Sequence, residues 1–423
     1  MGIFDVFRKQ RQVETKESAA AKALMINPGQ PVWSDRNYTA FANEGYRINV
    51  VAYQAVNKIC EAIASVPPTL FRGEDEITES PILSLLDKPN PMQGYDEYVH
   101  ALVGFYLLSG NGYQEKVAIN GAPRELYALR SDRMKIIPSQ AGMPQAYVYE
   151  VSGRKVMWEV EPDGGSDISH IKTFNPINDW YGMSPVEAAA YAVDQHNEAM
   201  AWMQALLQNS ARPSGALIME GEQSLSDDQY HRLKQELEDS YQGSKNAGRP
   251  MLLEGGLDWR AMGLSPTDMG ILDQKNASAR DICLAFGVPP QLLGIPGDNT
   301  YSNYQEARLS FWEDTVIPLL GVIYGAWNKW LVPDFGNGLE LRPDLDQVPA
   351  IVDKRRTLWE MADKSQDLTI NERRAMKGYG PVSGGDSVFV SANTLPLDMD
   401  FEAPLSTEDA KALAYGLDAK GDT

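Results

Sequence analysis

The sequence predicts an α+β protein in which long helices outweigh a small β unit. Three observations predict it. Apolar residues recur at helical spacing over most of the chain. The spacing shifts toward two only between about 113 and 174. A stretch from Ser265 to Leu331 reads as two helices joined by a Pro/Gly-rich elbow. At 423 residues the chain can bury a large core and form more than one lobe.

Residues 1–42 lack a sustained period and read as a flexible N-terminal arm. From Asn49 to Ala64 a helix is expected, with Val51, Ala55, Ile59 and Ala62 on one face. Val66-Pro67-Pro68 ends it, and a short strand, Thr69 to Phe71, follows. Pro81 to Leu86 and Tyr95 to Leu108 read as helices, the second stopped by Gly110 and Gly112. Strand-like pieces then run Tyr113–Ile119, Glu125–Leu129, Met134–Pro138, Ala146–Val151, Arg154–Glu159 and Ile168–Phe174, separated by Gly, Pro and Asn turns.

Ser184-Pro185-Val186-Glu187 supplies a cap, a first-turn proline and a carboxylate at capping-box spacing, so a helix should run from Ser184 to about Asn209. A module follows: strand Ala216–Met219, helix Ser226–Tyr241, strands Pro250–Leu253 and Leu257–Met262. A long helix on each side makes it a small head on a stalk. Ser265 and Pro266 open the next helix, which Gly287 stops and Pro289 and Pro290 forbid from continuing. Ser302 and Gln305 have capping-box spacing for a helix to Leu331, which Pro318 should bend or break. Leu339–Arg342 reads as a strand, Val352–Lys364 as a helix, and Thr369–Lys377 as a short helix capped by Thr369 with Glu372. Ser383 to Asp386 reads as a turn before a strand Ser387–Val390. The tail after Pro396 is acidic.

Charge excludes one broad class. Lys plus Arg is 38 against 58 Asp plus Glu, a formal charge of −20. Such a chain does not coat nucleic acid, because phosphate needs local positive charge. It can still enclose DNA without gripping it. The two cysteines, Cys60 and Cys283, sit in apolar helical context and read as buried thiols. No run is apolar enough to cross a membrane, and the charged start is not a signal peptide.

Catalytic patterns are missing. The four histidines, His100, His170, His196 and His231, have no metal-ligand spacing. There is no GxSxG and no phosphate-binding GxxxxGK[ST]. Asp227/Asp228 and Glu238/Asp239 diverge on a helix and read as a solvated face. Tyr301, Tyr304, Trp312, Trp327 and Trp330 fit core or subunit packing better than a base-stacking platform. The chain therefore does not read as an enzyme and implies no cofactor or metal.

Several segments carry a joint signal: Tyr181-Gly182-Met183-Ser184-Pro185; Asp281-Ile282-Cys283 running into Phe286-Gly287-Val288-Pro289-Pro290; Leu293-Gly294; Tyr301-Ser302-Asn303; and Leu368-Thr369-Ile370-Asn371-Glu372 leading to Gly384-Gly385-Asp386. In these the chain resembles, over about Tyr46 to Leu395, the HK97-like portal (head-tail connector) proteins of tailed double-stranded-DNA bacteriophages. A gene-transfer particle or prophage relative would look the same. The resemblance implies a portal fold: an arm (1–42), a wing (43–180), a first stem helix (181–211), a clip (212–264), a second stem helix (265–287), an elbow and tunnel helix kinked at Pro318 (288–331), a wing return (332–351), a crown (352–395) and an acidic tail (396–423). It implies a ring of about twelve copies at one capsid vertex of the virion, assembled from chains made in the host cytoplasm. Double-stranded DNA would pass through during packaging and ejection. The terminase large subunit, head-completion or adaptor proteins and the major capsid protein would be partners, with no membrane involved. The channel is expected to be negative overall, with Lys245 and Arg249 as candidates for a basic ring near the clip. Met200, Trp202, Met203, Leu206 and Leu207 could form contact faces between copies. An acidic helical scaffold or adaptor that self-associates without a channel is the alternative reading, and an enzyme with a scattered site the third.

Overall fold

The computed structural model describes residues 37–139, 142–208, 215–219, 226, 228–229, 231–232, 234–235, 257–261, 270–297, 301–365, 367–377 and 379–387. The chain divides after Gln347 into two compact units.

In the first unit a helix begins at Tyr38, inside the stretch expected to be a flexible arm. Asn37 caps it by accepting from the Ala40 amide at 2.9 Å, and it continues as a π-helix over Phe41–Ile48 (α1). Gly45 lies in this π-turn, where an added Cβ would sit 2.8 Å from Val186 Cγ1. The next helix, α2, spans Val50–Ala64 as the apolar stripe requires. Asn49 caps it, taking the Val51 and Ala52 amides on Oδ1. Its Nδ2 reaches the other way, to Asn197 Oδ1 at 2.9 Å and His196 Nδ1 at 3.2 Å. One side chain thus caps a helix and joins it to another.

Helices α3 (Pro81–Asp87) and α4 (Tyr95–Ser109) follow. Gly110, with φ +73°, terminates α4 in the left-handed region that glycine tolerates. Strands β1 (Pro68–Arg72) and β2 (Asp75–Ile77) form a sheet with β11 (Leu339–Pro343), in the order β11-β1-β2. Leu70 pairs with Leu341 across 271 positions of sequence, so the chain returns to its beginning after the long helices. Two further three-stranded antiparallel sheets complete the β unit. One orders β4 (Ala122–Leu129), β3 (Asn111–Ile119) and β8 (Ile168–Lys172); the other β5 (Met134–Pro138), β6 (Pro144–Val151) and β7 (Arg154–Glu159). They share a core of Tyr113, Met134, Tyr147 and Ile168. The sequence extends the last strand to Phe174, but pairing stops at Lys172 and Phe174 leaves the sheet for solvent.

The Ser184 helix starts where expected, but its cap differs. Ser184 Oγ accepts from the Val186 amide at 3.0 Å and donates to the Leu107 carbonyl at 2.9 Å. The hydroxyl is therefore used to join the helix to α4 rather than to close a capping box with Glu187. The helix also turns once at Ala189, giving α5 (Pro185–Ala188) and α6 (Ala190–Gln208). Of the head module, β9 (Gly215–Met219) and β10 (Leu257–Ala261) pair antiparallel. Ser226 and Gln229 make the reciprocal bonds of a capping box, Ser226 N to Gln229 Oε1 at 3.0 Å and Gln229 N to Ser226 Oγ at 3.4 Å. Most of the expected helix to Tyr241, the strand Pro250–Leu253, the strand Ser387–Val390 and the acidic tail lie outside the described residues.

Two expectations about the long helices need correction. The helix ending at Phe286 spans Ile271–Phe286 (α7) and does not run unbroken from Pro266. Gly270 adopts φ +59°, and a left-handed residue cannot continue a right-handed helix, so α7 starts anew after it. Next, Ser302 is not a cap. It is the second residue of α8 (Tyr301–Ser310), so its backbone is already helical. From α8 the chain winds through a π-helix at Phe311–Val316 into α9 (Ile317–Trp330) without leaving helical geometry. Pro318 sits in the first turn of α9. It has no amide hydrogen to donate, and the wider π-turn just before it is where the hydrogen-bond register changes.

The second unit contains α10 (Pro349–Lys364) and α11 (Ile370–Met376). Thr369 and Glu372 form the expected capping box, and residues 383–386 are a turn.

Candidate functional site

Among the described residues no cluster of His, Cys, Asp or Glu could hold a metal ion, and no helix is long and apolar enough to cross a membrane. The recurring segments instead build joints between helices and sheets.

The Tyr181–Pro185 segment makes the first joint. Asn111, buried at the start of β3, accepts the Gly182 amide at 2.7 Å and the His170 Nε2–H at 3.0 Å on one oxygen. Its Nδ2 donates to the Ser109 carbonyl at 2.8 Å. Gly182 packs its Cα against the Gly110 backbone: an added Cβ would collide with the Gly110 carbonyl oxygen, and would lie 2.6 Å from Thr173 Oγ1. A Cβ on Gly110 would in turn meet the Met183 carbonyl carbon at 2.5 Å. Tyr181 accepts the Ile136 amide at 3.0 Å, Ser184 ties to Leu107, and Pro185 opens the helix. Tyr181 and Gly182 thus fasten the start of α5 to the sheets, and Ser184 fastens it to α4. Burial, with Lys172 nearby, lowers the His170 pKa to about 3, so the ring stays neutral and Nε2 keeps its donor hydrogen.

A second joint anchors the far end of the long helix. Gln114 is fully buried on β3. Its Oε1 accepts from Tyr98 OH at 2.6 Å and Trp327 Nε1 at 2.9 Å, and its Nε2 donates to Ser169 Oγ at 3.1 Å. Four elements meet at one amide: α4, β3, β8 and α9. Lys116 adds an ion pair with Asp334 at 2.5 Å and donates to the Trp330 carbonyl at 3.3 Å, while Trp330 Nε1 donates to the Ser166 carbonyl at 2.9 Å. Asn328 exchanges two bonds with Leu341 of β11. Trp312, Trp327 and Trp330 are therefore packing and anchoring residues, as the sequence reading favours over base stacking.

The third joint is the elbow. Phe286 ends α7, and Gly287, at φ +66°, is the left-handed residue beyond it. Gly287 N–H donates to the Leu284 carbonyl at 3.1 Å and Val288 N–H to the Cys283 carbonyl at 3.0 Å, with Val288 and Cys283 both buried: a Schellman cap with its apolar contact. Pro289 precedes a 3₁₀ turn that begins at Pro290 and ends at Leu293, and Gly294 at φ +70° closes it. Thr315, in the π-turn of the long helix, donates its hydroxyl to the Gly287 carbonyl at 2.5 Å, and Arg280 donates to the Pro296 carbonyl at 2.6 Å. The helix opening with Tyr301, Ser302 and Asn303 packs on the Pro290–Leu293 turn. So the element that opens with Tyr301 to Asn303 meets the turn that follows Phe286 to Pro289, and the π-turn before Pro318 meets the Gly287 carbonyl. Lys245 and Arg249 lie outside the described residues.

In the second unit the Leu368–Glu372 and Gly384–Asp386 segments interlock. Asn371 accepts the Val382 amide at 2.8 Å and donates to Asp386 Oδ1 at 2.7 Å, while its own amide reaches the Gly385 carbonyl at 2.9 Å. A Cβ on Gly385 would strike Asn371 Oδ1.

Asn111, Gln114, Arg280 and Thr315 carry these joints, and the sequence reading singled out none of them. Gln114 is followed by Glu115 and Lys116, so no local signal marks it as the buried polar residue of its strand.

Comparison with known proteins matches this chain, over residues 50–378, to the phage portal protein family. An uncharacterised protein of Rickettsia bellii is 39% identical over 349 residues, covering 82% of this chain and 90% of that one. The portal protein of Enterobacteria phage HK97 is 24% identical over 369 residues, covering 82% of each. Among solved structures, the neck of an empty gene transfer agent particle, computed with C6 symmetry, contains a chain 46% identical, with a TM-score of 0.67 over 86% of this chain and 99% of that one. The native neck, computed with C12 symmetry, gives 46% and 0.65 over the same shares. The chain belongs to the phage portal protein family.

Proposed function

We propose that this chain is the subunit of a twelve-membered portal ring at one vertex of a phage-like or gene-transfer particle. Double-stranded DNA enters and leaves the capsid through its channel. The observation that carries the reading is the 46% identity, over 86% of this chain, to the neck chain of a particle solved with twelvefold symmetry.

The physical features agree with it. Helices α6 and α7 pack along each other and leave Met200, Leu207, Leu272 and Leu284 exposed, a surface suited to neighbouring copies. These helices would be the stem, with residues 212–264 the clip, 288–331 the tunnel helix and 352–395 the crown. A charge of −20 per copy gives a ring that repels phosphate and lets DNA slide. Lys245 and Arg249 would form a basic ring where DNA and the terminase large subunit meet the clip. Head-completion or adaptor proteins would dock at the same end, and the major capsid protein around the wing. The subunit carries no chemistry of its own in this scheme; a separate ATPase drives DNA.

Native mass spectrometry of the purified full chain, with negative-stain imaging of the same sample, tests this. A closed ring of about twelve 46.9 kDa chains with a central hole is expected. Small oligomers without a hole would support instead an acidic scaffold.

A further inference from the structure

The loop between β8 and α5 is built unlike an ordinary connection. It carries Phe174 at 86% exposure and Ile177 at 90%. Neither side chain contributes to the core, yet the backbone beneath them is fastened at every step. Asn175 Oδ1 accepts the Ile177 amide at 3.1 Å. Asn178 Oδ1 accepts the Trp180 and Tyr181 amides at 2.8 and 3.0 Å. Lys172 Nζ bonds to the Asp179 carbonyl, and Pro176 fixes its own φ. One base of the loop is held by Thr173, whose hydroxyl donates to the Met183 carbonyl at 2.6 Å. The other is the Gly110–Gly182 contact. Two large apolar groups are thus presented to water on a preorganised support.

We propose that Phe174 and Ile177 are a hook that seats on the neighbouring copy of this chain. This rests on the ring reading above. Three features select a second copy as the occupant. First, each chain carries −20, so copies repel unless they touch through uncharged surface, and Phe174-Asn175-Pro176-Ile177-Asn178 contains no charge. Second, closed rings of more than two copies use heterologous contacts, in which a projecting patch on one face meets a different face of the next copy. A projecting apolar tip supplies one side of such a contact. Third, a support already ordered in the single chain loses little freedom on docking. DNA is a poor occupant, since the tip offers no cation to a phosphate.

The test places the photo-crosslinking residue p-benzoylphenylalanine at position 174 of the full chain and irradiates assembled rings. Covalent ladders between chains are expected, with the captured peptide coming from this same sequence. In parallel, F174S/I177S should leave the melting of the dissociated chain unchanged and raise the concentration at which rings fall apart by about tenfold or more. Rings that form normally but yield no inter-chain product, or F174S/I177S rings as stable as the parent, would overturn the hook while leaving the ring reading intact. A parent chain that forms no ring would remove the ring reading, and the hook with it.

Discussion

The two ends of the stalk are fastened in opposite ways. At Gly182 the start of α5 is set backbone against backbone. The contact is buried, and Asn111, His170, Ser184 and Thr173 hold it from four sides. At Gly287 the end of α7 is exposed, and the Thr315 hydroxyl bridges it to the long helix. The first joint has no room for an alternative arrangement. The second has fewer polar ties, and its bridge to the long helix is a side-chain hydrogen bond next to a π-turn. The expected consequence is a stiff start of α5 and a softer elbow between α7 and the long helix. Both joints contain a glycine inside a recurring motif, but for different reasons: close approach at Gly182, and positive φ at Gly287.

The contrast can be broken by substitution. Gly182→Ala should have the largest effect, about 3 kcal/mol or more of lost stability, because the new methyl meets a carbonyl oxygen that cannot turn aside. Chemical denaturation measures it; a loss under about 1 kcal/mol would mean the joint is soft.

The second test is acid. Burial keeps His170 neutral in the folded chain, with its pKa near 3 rather than 6.5. As pH falls, the unfolded chain takes up this proton first. Stability from this group is therefore intact above about 6.5 and is lost progressively between there and about 3. Denaturation at pH 7 and pH 5 should differ by about 2 kcal/mol from this residue. His170→Phe should flatten that difference, and an unchanged slope would place the acid sensitivity elsewhere.

At the elbow the losses should be smaller. Gly287→Ala forces a left-handed alanine and pushes on Thr315 Oγ1 at 2.6 Å, a side chain that can rotate away. About 1–2 kcal/mol is expected. Thr315→Val removes only the bridging hydrogen bond, about 1 kcal/mol. It should loosen the elbow without moving the melting of the β unit. Smallest of all, Cys60 and Cys283, with thiols pushed up by burial to about 12 and about 11, should stay unreactive toward thiol reagents in the folded chain. Rapid labelling of Cys283 alone would show that α7 opens further than the elbow requires.

What was legible in the sequence follows the range of the interactions. The Thr369–Glu372 and Ser226–Gln229 capping boxes and the Phe286-Gly287-Val288 cap are made within six residues, so the local pattern carries them. The α+β class also follows from periodicity, but the strand order does not, because β3 pairs with β8 and β1 with β11. The Asn111–Gly182 and Gln114–Trp327 bonds were not legible, because their partners lie 71 and 213 positions apart. Phe174 misled for a related reason: an apolar residue after a strand looks like more strand when nothing in its neighbourhood says that it faces out. Ser184 misled because its hydroxyl had a distant carbonyl to satisfy in addition to its own helix.

Hydrogen exchange on assembled rings, resolved to single amides, compares the two joints most directly. The Gly182 amide, donated to buried Asn111, should exchange about a thousandfold or more slower than the Gly287 amide at the exposed elbow. Equal protection at the two glycines would contradict a stiff α5 start with a softer elbow.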